Sequence, residues 1–315
     1  MSEIILLNST QNEQVDALLY QCISLFETAF PGRIRGYYVE GSYANSYGVS
    51  SSDVDFVLVF KGHFVQGEQQ RAEEIATYCA TKTTIELDVE IVDEEKLLAG
   101  VWPTLKLASL LLYGEDIRPH FSLVSLAEWT RDRMHSSYWR TVKLFHRPLP
   151  LRYPLDYPDP MSEFYGYDLR KLRLSDGQEV PCTRDLIRLV GWSATALIAC
   201  KAGKYVARKS ECHILYKECF HDEWGQLLQD IYEYCRGQWN YIIPIDAQER
   251  RLLRSICERT LGFENHFLSL YKNFALAELR SPNGEAIRHA LWVLREMPFQ
   301  DAEIQGVIES NNTKM

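Results

Sequence analysis

Two aspartates at the start of an apolar run constrain this chain more than any other feature. Asp53 and Asp55 stand two positions apart, and the residues from Val54 to Phe60 are otherwise almost all apolar. A short run of this composition predicts a buried strand. Side chains alternate between the two faces of a strand, so both aspartates leave the same face. Two carboxylates in this arrangement can hold one or two magnesium ions between them.

A glycine–serine pair precedes the aspartates. Gly41-Ser42 follows a short apolar and aromatic stretch, residues 34–39, that predicts another strand. Glycine lets the backbone approach a phosphate, serine adds a hydroxyl, and free amides at the start of a following short helix attract anions. The segment therefore predicts a site for a triphosphate tail. Ser52, directly before Asp53, is also predicted to bind the nucleotide.

A second acidic strand is predicted at residues 83–92, where acidic and aliphatic residues alternate. Glu86, Asp88 and Glu90 share one face of it. Like charges in such a row repel one another unless a cation lies between them, which favours a metal site over a solvated face. Asp88, in the middle, is the expected third metal ligand and general base, and Glu90 is the alternative base.

The order of predicted elements gives an α+β N-terminal domain, a mixed sheet with flanking helices. A helix over residues 11–30 precedes the first two strands, and a helix over residues 66–81 separates the second strand from the third. An apolar run at residues 108–116 ends at Gly114, and Pro119 marks a break. The domain boundary is therefore placed between 118 and 119, which gives domains 1–118 and 119–315.

The second domain is predicted to be all-α. Amphipathic patterns predict helices at residues 123–145, 183–201, 210–220, 224–235, 247–272 and 283–296. Residues 147–167, rich in proline and tyrosine, predict a long loop that either covers a site or packs as an ordered crossover. The tail after Gln305 is polar, so a frayed end is expected there.

Composition narrows the partners. There are 34 basic and 43 acidic residues, a net charge of −9, which disfavours broad binding to nucleic-acid phosphates and suits a small or cationic acceptor. Eight cysteines without a Cys-x-x-Cys pair suggest a reducing compartment. No apolar segment reaches the length of a membrane span, and no leader precedes the first helix, so a cytoplasmic location is expected. The oligomeric state stays open.

Several motifs together resemble a known family. Gly41-Ser42, ten intervening residues, Asp53-Val54-Asp55 and an acidic residue on a later strand resemble the polymerase-beta nucleotidyltransferase superfamily. Leu87-Asp88-Val89, the segment from Leu112 to Asp116, and the segment from Gly203 to Ser210 at the start of a helix resemble the aminoglycoside adenylyltransferases that modify streptomycin and spectinomycin.

The resemblance implies roles for individual residues. Asp53 and Asp55 would bind magnesium, Asp88 would serve as catalytic base, and Lys209 would meet the triphosphate. Lys204 and Arg208 lie in the same basic segment, where positive side chains at a junction between loop and helix suit phosphate oxygens.

The expected function is magnesium-dependent transfer of a nucleoside monophosphate, AMP from ATP or the equivalent from another nucleoside triphosphate, to a hydroxyl of a small molecule. The resemblance implies an aminoglycoside as one such acceptor. One alternative is modification of a tRNA end or of a protein, which a localised basic surface would favour. Another is a catalytically silent nucleotide sensor, against which the full set of carboxylates counts.

Overall fold

The structure of the chain is a computed structural model that describes residues 4–45, 48, 52–174 and 177–312. Contacts within the chain divide it into two compact units. Unit 1 comprises Met1–Ser125 and Val206–Ser210, and unit 2 comprises Leu126–Tyr205 and Glu211–Met315. A boundary between two domains at residues 118 and 119 stays a prediction, and each unit is described below by itself.

Unit 1 contains the predicted mixed sheet with helices. Its four strands lie in the order β3-β2-β1-β4, and β1 pairs antiparallel with both neighbours while β2 and β3 pair in parallel. The strands are β1 Ile34–Glu40, β2 Val54–Phe60, β3 Leu87–Asp93 and β4 Leu110–Gly114. The helices are α1 Glu13–Ala29, α2 Glu68–Thr81, α3 Glu94–Leu98 and α4 Pro103–Ala108.

Apolar side chains cover both faces of this sheet. On one face, Val54, Phe56 and Leu58 of β2 belong to a buried cluster that includes side chains of α1 and α2. On the other face, Val57 and Val59 pack in a second cluster with side chains of α3 and α4. Burial on both faces explains the nearly continuous apolar run of β2. The acidic residues begin where this double burial ends, at the start of the strand.

Strand β4 was not predicted. Residues 108–116 were expected only as an apolar run before the domain boundary, but Leu110–Gly114 pairs with β1 at the edge of the sheet. Five residues are too few to show an alternation that separates a strand from other apolar runs. Gly114 has φ +91°, and a Cβ there would lie 2.4 Å from the carbonyl oxygen of Arg35, so this strand end requires glycine.

Unit 2 is mainly helical. Its helices are α5 Leu126–Lys143, α6 Arg184–Leu197, α7 Cys212–Cys219, α8 Trp224–Asp230, α9 Ala247–Leu279, α10 Gly284–Glu296 and α11 Ala302–Asn312. Wider π-helical turns, Ile198–Ala202 and Ile231–Gln238, continue α6 and α8. Across the described residues, no helix combines the length and the apolar character that crossing a bilayer demands.

Two features of unit 2 differ from the sequence prediction. The prediction of helices alone is incomplete, because an antiparallel hairpin of β5 Lys171–Arg173 and β6 Glu179–Pro181 precedes α6. The expected frayed end is wrong over most of its length, because α11 forms there. Ile304 and Ile308 of α11 are buried, and this packing holds a helix whose local sequence is mostly polar.

The proline- and tyrosine-rich segment at residues 147–167 packs as an ordered crossover. Arg147 donates two hydrogen bonds from Nη2 to the carboxylate of Glu264 on α9, at 2.8 and 2.9 Å. Tyr167 donates its hydroxyl proton to the same carboxylate. Because Arg147 and Glu264 are both buried, loss of either partner would leave an uncompensated buried charge. The segment is therefore fixed to α9, as the second of its two interpretations requires.

His135 on α5 makes unit 2 sensitive to acid. Its side chain is buried, with Nδ1 2.9 Å from the hydroxyl oxygen of Tyr271. Burial, with smaller effects from the positive charges of His289 and Arg131, lowers the pKa of His135 to about 3. In the unfolded chain a histidine binds its proton near pH 6.5. The unfolded state therefore binds more protons between pH 6.5 and 3, and stability decreases as the pH falls through that range.

We expect His135→Phe, which cannot titrate, to lose less stability on acidification than the wild type. The difference between their free energies of unfolding should change by about 2 kcal/mol between pH 7 and pH 5, because each pH unit below 6.5 contributes about 1.4 kcal/mol. Urea denaturation at the two pH values measures this. The exposed His120 provides a control, since His120→Gln should keep the wild-type dependence. Equal pH dependence in His135→Phe and the wild type would contradict the expectation.

Candidate metal centre and nucleotide site

Strand pairing brings three acidic residues into one row. Glu40 of β1 pairs with Asp55 of β2, and Asp55 pairs with Asp88 of β3. Directly paired residues on neighbouring strands point to the same face, and such strands lie about 4.8 Å apart. The three carboxylates therefore leave the sheet side by side, at the end of β1 and near the starts of β2 and β3.

Asp88 of this row also belongs to a compact group with Asp53 and Glu86. One ligand oxygen from each lies within 4.8 Å of the others, with Asp53 half-buried and the other two exposed. Opposite oxygens on one magnesium ion are about 4.2 Å apart, because each Mg–O bond is about 2.1 Å long. Three hard oxygen donors at this spacing fit a divalent cation such as magnesium after a small closure of the side chains.

The structure and the sequence prediction agree only partly on this group. It contains Asp53 and Asp88, which were expected as metal ligands, but not Asp55. Glu86 belongs to it, although the sequence singled it out only as part of an acidic strand face. The strand register explains why Glu86 belongs to the group. Val54 pairs with Leu87, so the residues that precede them, Asp53 and Glu86, are neighbours. Parallel register cannot be derived from either strand alone.

Asp55 lies against the turn that follows β1. Gly41 has φ +69°, and a Cβ at this position would lie 2.3 Å from Oδ2 of Asp55. Glycine is therefore required here both for its backbone conformation and for the room it leaves to the carboxylate. The sequence predicted a close approach of Gly41 to phosphate, whereas the contact that the structure shows is with Asp55.

The short helix expected after Ser42 is a single 3₁₀ turn, Tyr43–Asn45. The Asn45 amide donates to the Ser42 carbonyl oxygen at 3.4 Å, and Nδ2 of Asn45 donates to the Gly41 carbonyl oxygen at 3.3 Å. One turn supplies fewer aligned amides than the start of a longer helix, and the anion site expected here stays a prediction. Residues 46, 47 and 49–51 lie outside the described residues, and Ser52 beyond them is buried.

Glu40 was missed by the sequence analysis. Burial raises its pKa to about 7, and the negative charges of Glu90 and Asp55 act in the same direction. A hydrogen bond from Thr104 and the positive charge of Lys209 oppose them. A cation on this face would favour the ionised carboxylate. The sequence signal that could have identified Glu40 is its position at the end of a predicted strand. Only the pairing of β1 with β2 places Glu40 beside Asp55.

Glu90, the alternative base, lies two paired positions further along β3 than Asp88. It pairs with Val57, is exposed, and its charge acts on Glu40. Asp88 instead lies in the group with Asp53. The two candidate bases therefore have different surroundings, which a pair of substitutions can separate.

The basic segment is divided between the two units. Arg208 and Lys209 group with unit 1, whereas Lys204 groups with unit 2. Lys209 is exposed at the start of a 3₁₀ turn, Lys209–Glu211, that precedes α7, and its charge acts on Glu40. Lys209 thus lies near the acidic end of the sheet, where a basic side chain can meet the phosphates of a metal-bound nucleotide.

Comparison with known proteins gives remote likenesses. No family model matches the sequence, and no curated protein matches it. Among solved structures, the chain is similar to spectinomycin adenyltransferase AAD(9) from Enterococcus faecialis with ATP and spectinomycin, at 12% identity and TM-score 0.45, over 78% of this chain and 98% of that one. It is also similar to the CdnE cyclic dinucleotide synthase from Elizabethkingia meningoseptica with GTP and Apcpp, at 12% identity and TM-score 0.28, over 81% of this chain and 94% of that one. Both TM-scores lie below 0.5, so neither structure decides the chemistry of this chain.

The contact between Gly41 and Asp55 can be tested against a second glycine. Gly41 and Gly32 have φ values of +69° and +70°, but a Cβ on Gly32 would meet nothing within 4 Å. Alanine at either position pays the same backbone cost of about 1–2 kcal/mol. We expect both Gly→Ala variants to lose similar stability in urea, but only Gly41→Ala to bind Mn²⁺ more weakly, because its Cβ displaces the Asp55 carboxylate. Unchanged Mn²⁺ affinity in Gly41→Ala would show that cation binding does not depend on the room that Gly41 leaves for the Asp55 carboxylate.

The group of three carboxylates predicts a cation site that can be measured directly. We expect Mn²⁺, a spectroscopic substitute for magnesium, to bind with an affinity that falls about tenfold or more in Asp88→Asn and in Glu86→Gln, because each removes one charged ligand. Electron paramagnetic resonance of free Mn²⁺ gives the affinities. Glu74→Gln on α2 changes an exposed carboxylate of the same unit and should bind as the wild type does. Equal affinities in all four proteins would exclude a cation site at this group.

Proposed function

We propose that this chain is a magnesium-dependent nucleotidyltransferase that moves AMP from ATP, or the equivalent from another nucleoside triphosphate, to a hydroxyl of a small molecule. The observation that carries the proposal is the acidic end of the sheet, where Asp53, Glu86 and Asp88 have ligand oxygens within 4.8 Å of one another. Asp55 stands in the adjoining row, paired with Asp88. A dense carboxylate set on neighbouring strands suits a cation that binds phosphates, since magnesium is commonly held by one or two carboxylates together with substrate phosphates.

In this proposal the cation would be held by Asp53, Asp55 and Asp88, with Glu86 as a further ligand. A bound magnesium ion would lower the free-energy cost of the negative charge that develops on the leaving pyrophosphate. The Gly41 turn supports a role for Asp55 in holding the cation, because it leaves room for the Asp55 carboxylate.

The remaining predicted residues bind the nucleotide. Gly41, Ser42 and Ser52 line the turn and the strand start beside the carboxylates, and they would contact phosphate oxygens through backbone amides and hydroxyls. Lys209, whose charge acts on Glu40, would meet the triphosphate, with Arg208 as a further contact. The role of Lys204, which belongs to unit 2, stays a prediction. Positive side chains here offset the repulsion between the carboxylates and an anionic substrate.

The reaction is a displacement at phosphorus. The acceptor hydroxyl oxygen bonds to the α-phosphorus while the bond from that phosphorus to the bridging oxygen of the β-phosphate breaks, which releases pyrophosphate. The hydroxyl proton passes to Asp88, or to Glu90 in the alternative assignment. The net charge of −9 supports a small or cationic acceptor over a polyanionic one.

Labelled ATP tests the proposal. The protein is incubated with magnesium, ATP labelled at the α-phosphate, and separate panels of aminoglycosides, tRNA and proteins. We expect label on a small molecule, equimolar pyrophosphate, and loss of both in Asp53→Asn, with Glu74→Gln as the matched active control. Label on tRNA or protein would move the acceptor to a macromolecule. A rise in melting temperature with ATP and magnesium but no transfer would indicate a silent sensor. Absence of both the transfer and the rise in melting temperature would refute the proposal.

The base can be assigned once transfer is measured. Removal of a general base lowers the rate by about 10²- to 10⁴-fold. We expect Asp88→Asn to show this loss and Glu90→Gln to retain most of the activity. Single-turnover rates at saturating ATP and magnesium separate the chemical step from cation affinity. The reverse pattern, with loss confined to Glu90→Gln, would transfer the role to Glu90.

A further inference from the structure

Three arginines of unit 2 gather around one tryptophan. Helices α5 and α6 pack against each other, and Arg133 and Arg140 stand two turns apart on α5. Their Cζ atoms lie 4.1 and 3.4 Å from the ring centroid of Trp192 on α6. Arg188 lies one turn before Trp192 on the same helix, and its charge acts on Arg140. We call Arg133, Arg140 and Arg188 the arginine cluster.

The arginine cluster carries more positive charge than its carboxylates balance. Nε of Arg133 donates to Asp132 at 2.7 Å. Within residues 4–45, 48, 52–174 and 177–312, no carboxylate forms an ion pair with Arg140 or Arg188. Arg140 instead donates Nη1 to the carbonyl oxygen of Ser136 at 3.2 Å. Arg140 and Arg188 therefore add two positive charges for which the described residues provide no ion-pair partner.

This excess is held away from bulk water. Arg133, Arg140 and Arg188 are each only partly exposed. Burial is the main cause that lowers the pKa of Arg140 to about 10, and the positive charges of Arg133 and Arg188 act in the same direction. Burial also lowers the pKa of Arg133. A negative ligand between these groups would relieve their mutual repulsion, and partial burial would reduce the screening of that attraction by salt.

Guanidinium geometry identifies the class of ligand. Each guanidinium is a planar fork that can donate two parallel hydrogen bonds to a phosphate. Stacking on Trp192 holds two of the forks in place before a ligand arrives, which lowers the entropy lost on binding. We propose that the arginine cluster of unit 2 is a binding site for a phosphate oxyanion. This inference goes beyond the proposed function and does not depend on it.

Pyrophosphate without any metal is the probe. Isothermal titration in EDTA should show binding to the wild type, with the dissociation constant raised about tenfold or more in Arg140→Gln and in Arg188→Gln, because each loses charged hydrogen bonds. Arg173→Gln on β5 removes an exposed arginine elsewhere in unit 2 and should bind as the wild type does. Failure of the wild type to bind, or equal affinity in all four proteins, would overturn the proposal.

Two further proteins separate this site from folding and from the metal centre. Arg140→Lys keeps the charge but loses the fork, so its affinity should fall between those of the wild type and Arg140→Gln, with all variants checked by circular dichroism. Asp53→Asn should retain pyrophosphate binding in EDTA, and loss of binding there would overturn the proposal. The labelled-ATP experiment can therefore fail while this one succeeds, and the reverse also holds.

Competition identifies the source of the phosphate. If metal-free ATP displaces pyrophosphate from the wild type, the arginine cluster binds the phosphates of a nucleotide. If ATP does not displace it, the ligand is a different phosphate-bearing molecule. Both results support a phosphate site. Displacement of pyrophosphate by an equal concentration of citrate would instead show that the cluster binds anions by charge alone, and would overturn the assignment to phosphate.

Discussion

The parallel register between β2 and β3 is the constraint on which the acidic site depends. Val54 pairs with Leu87, and this single alignment sets Asp53 beside Glu86 and Asp55 opposite Asp88. The apolar residues between the carboxylates hold that alignment, because they pack in the cluster with α1 and α2. A slip by one residue would turn the acidic side chains of β3 towards this core and its apolar side chains towards the site. Burial of one face therefore fixes the chemistry of the other.

Repulsion between crowded carboxylates destabilises the folded chain at this end of the sheet. Glu40 shows it most directly, since burial and neighbouring negative charge raise its pKa to about 7. Gly41 has a left-handed backbone conformation that residues with a side chain adopt only at a cost in free energy. A side chain at this position would also contact the Asp55 carboxylate. Lys209 offsets part of the negative charge. Such local departures from the most stable choice are typical of functional sites, where a ligand supplies the missing partner.

Unit 2 contains two groups of buried or partly buried charges that differ in how they are paired. Arg147, Glu264 and Tyr167 form a buried network in which the carboxylate meets both a cation and a hydroxyl donor, and this network ties the crossover segment to α9. The arginine cluster differs, because Arg140 and Arg188 form no ion pair with a carboxylate of the described residues. In the first arrangement the buried positive and negative charges are paired with each other, and the network serves structure. The second has an excess of charge, which is the physical reason for assigning it a ligand.

The sequence by itself determined the elements whose signal is local. The apolar run after Asp53 specified a buried strand, alternation placed the acidic residues of β3 on one face, and helical periodicity located most helices of unit 2. Tertiary structure decided what depends on partners distant in sequence. Strand β4 exists because β1 offers it an edge, α11 because its isoleucines are buried, and the membership of Glu86 and Glu40 in the acidic site because of strand register. Side-chain periodicity is a property of one segment, whereas register and burial are set by packing between segments, so only the folded chain could show which carboxylates meet.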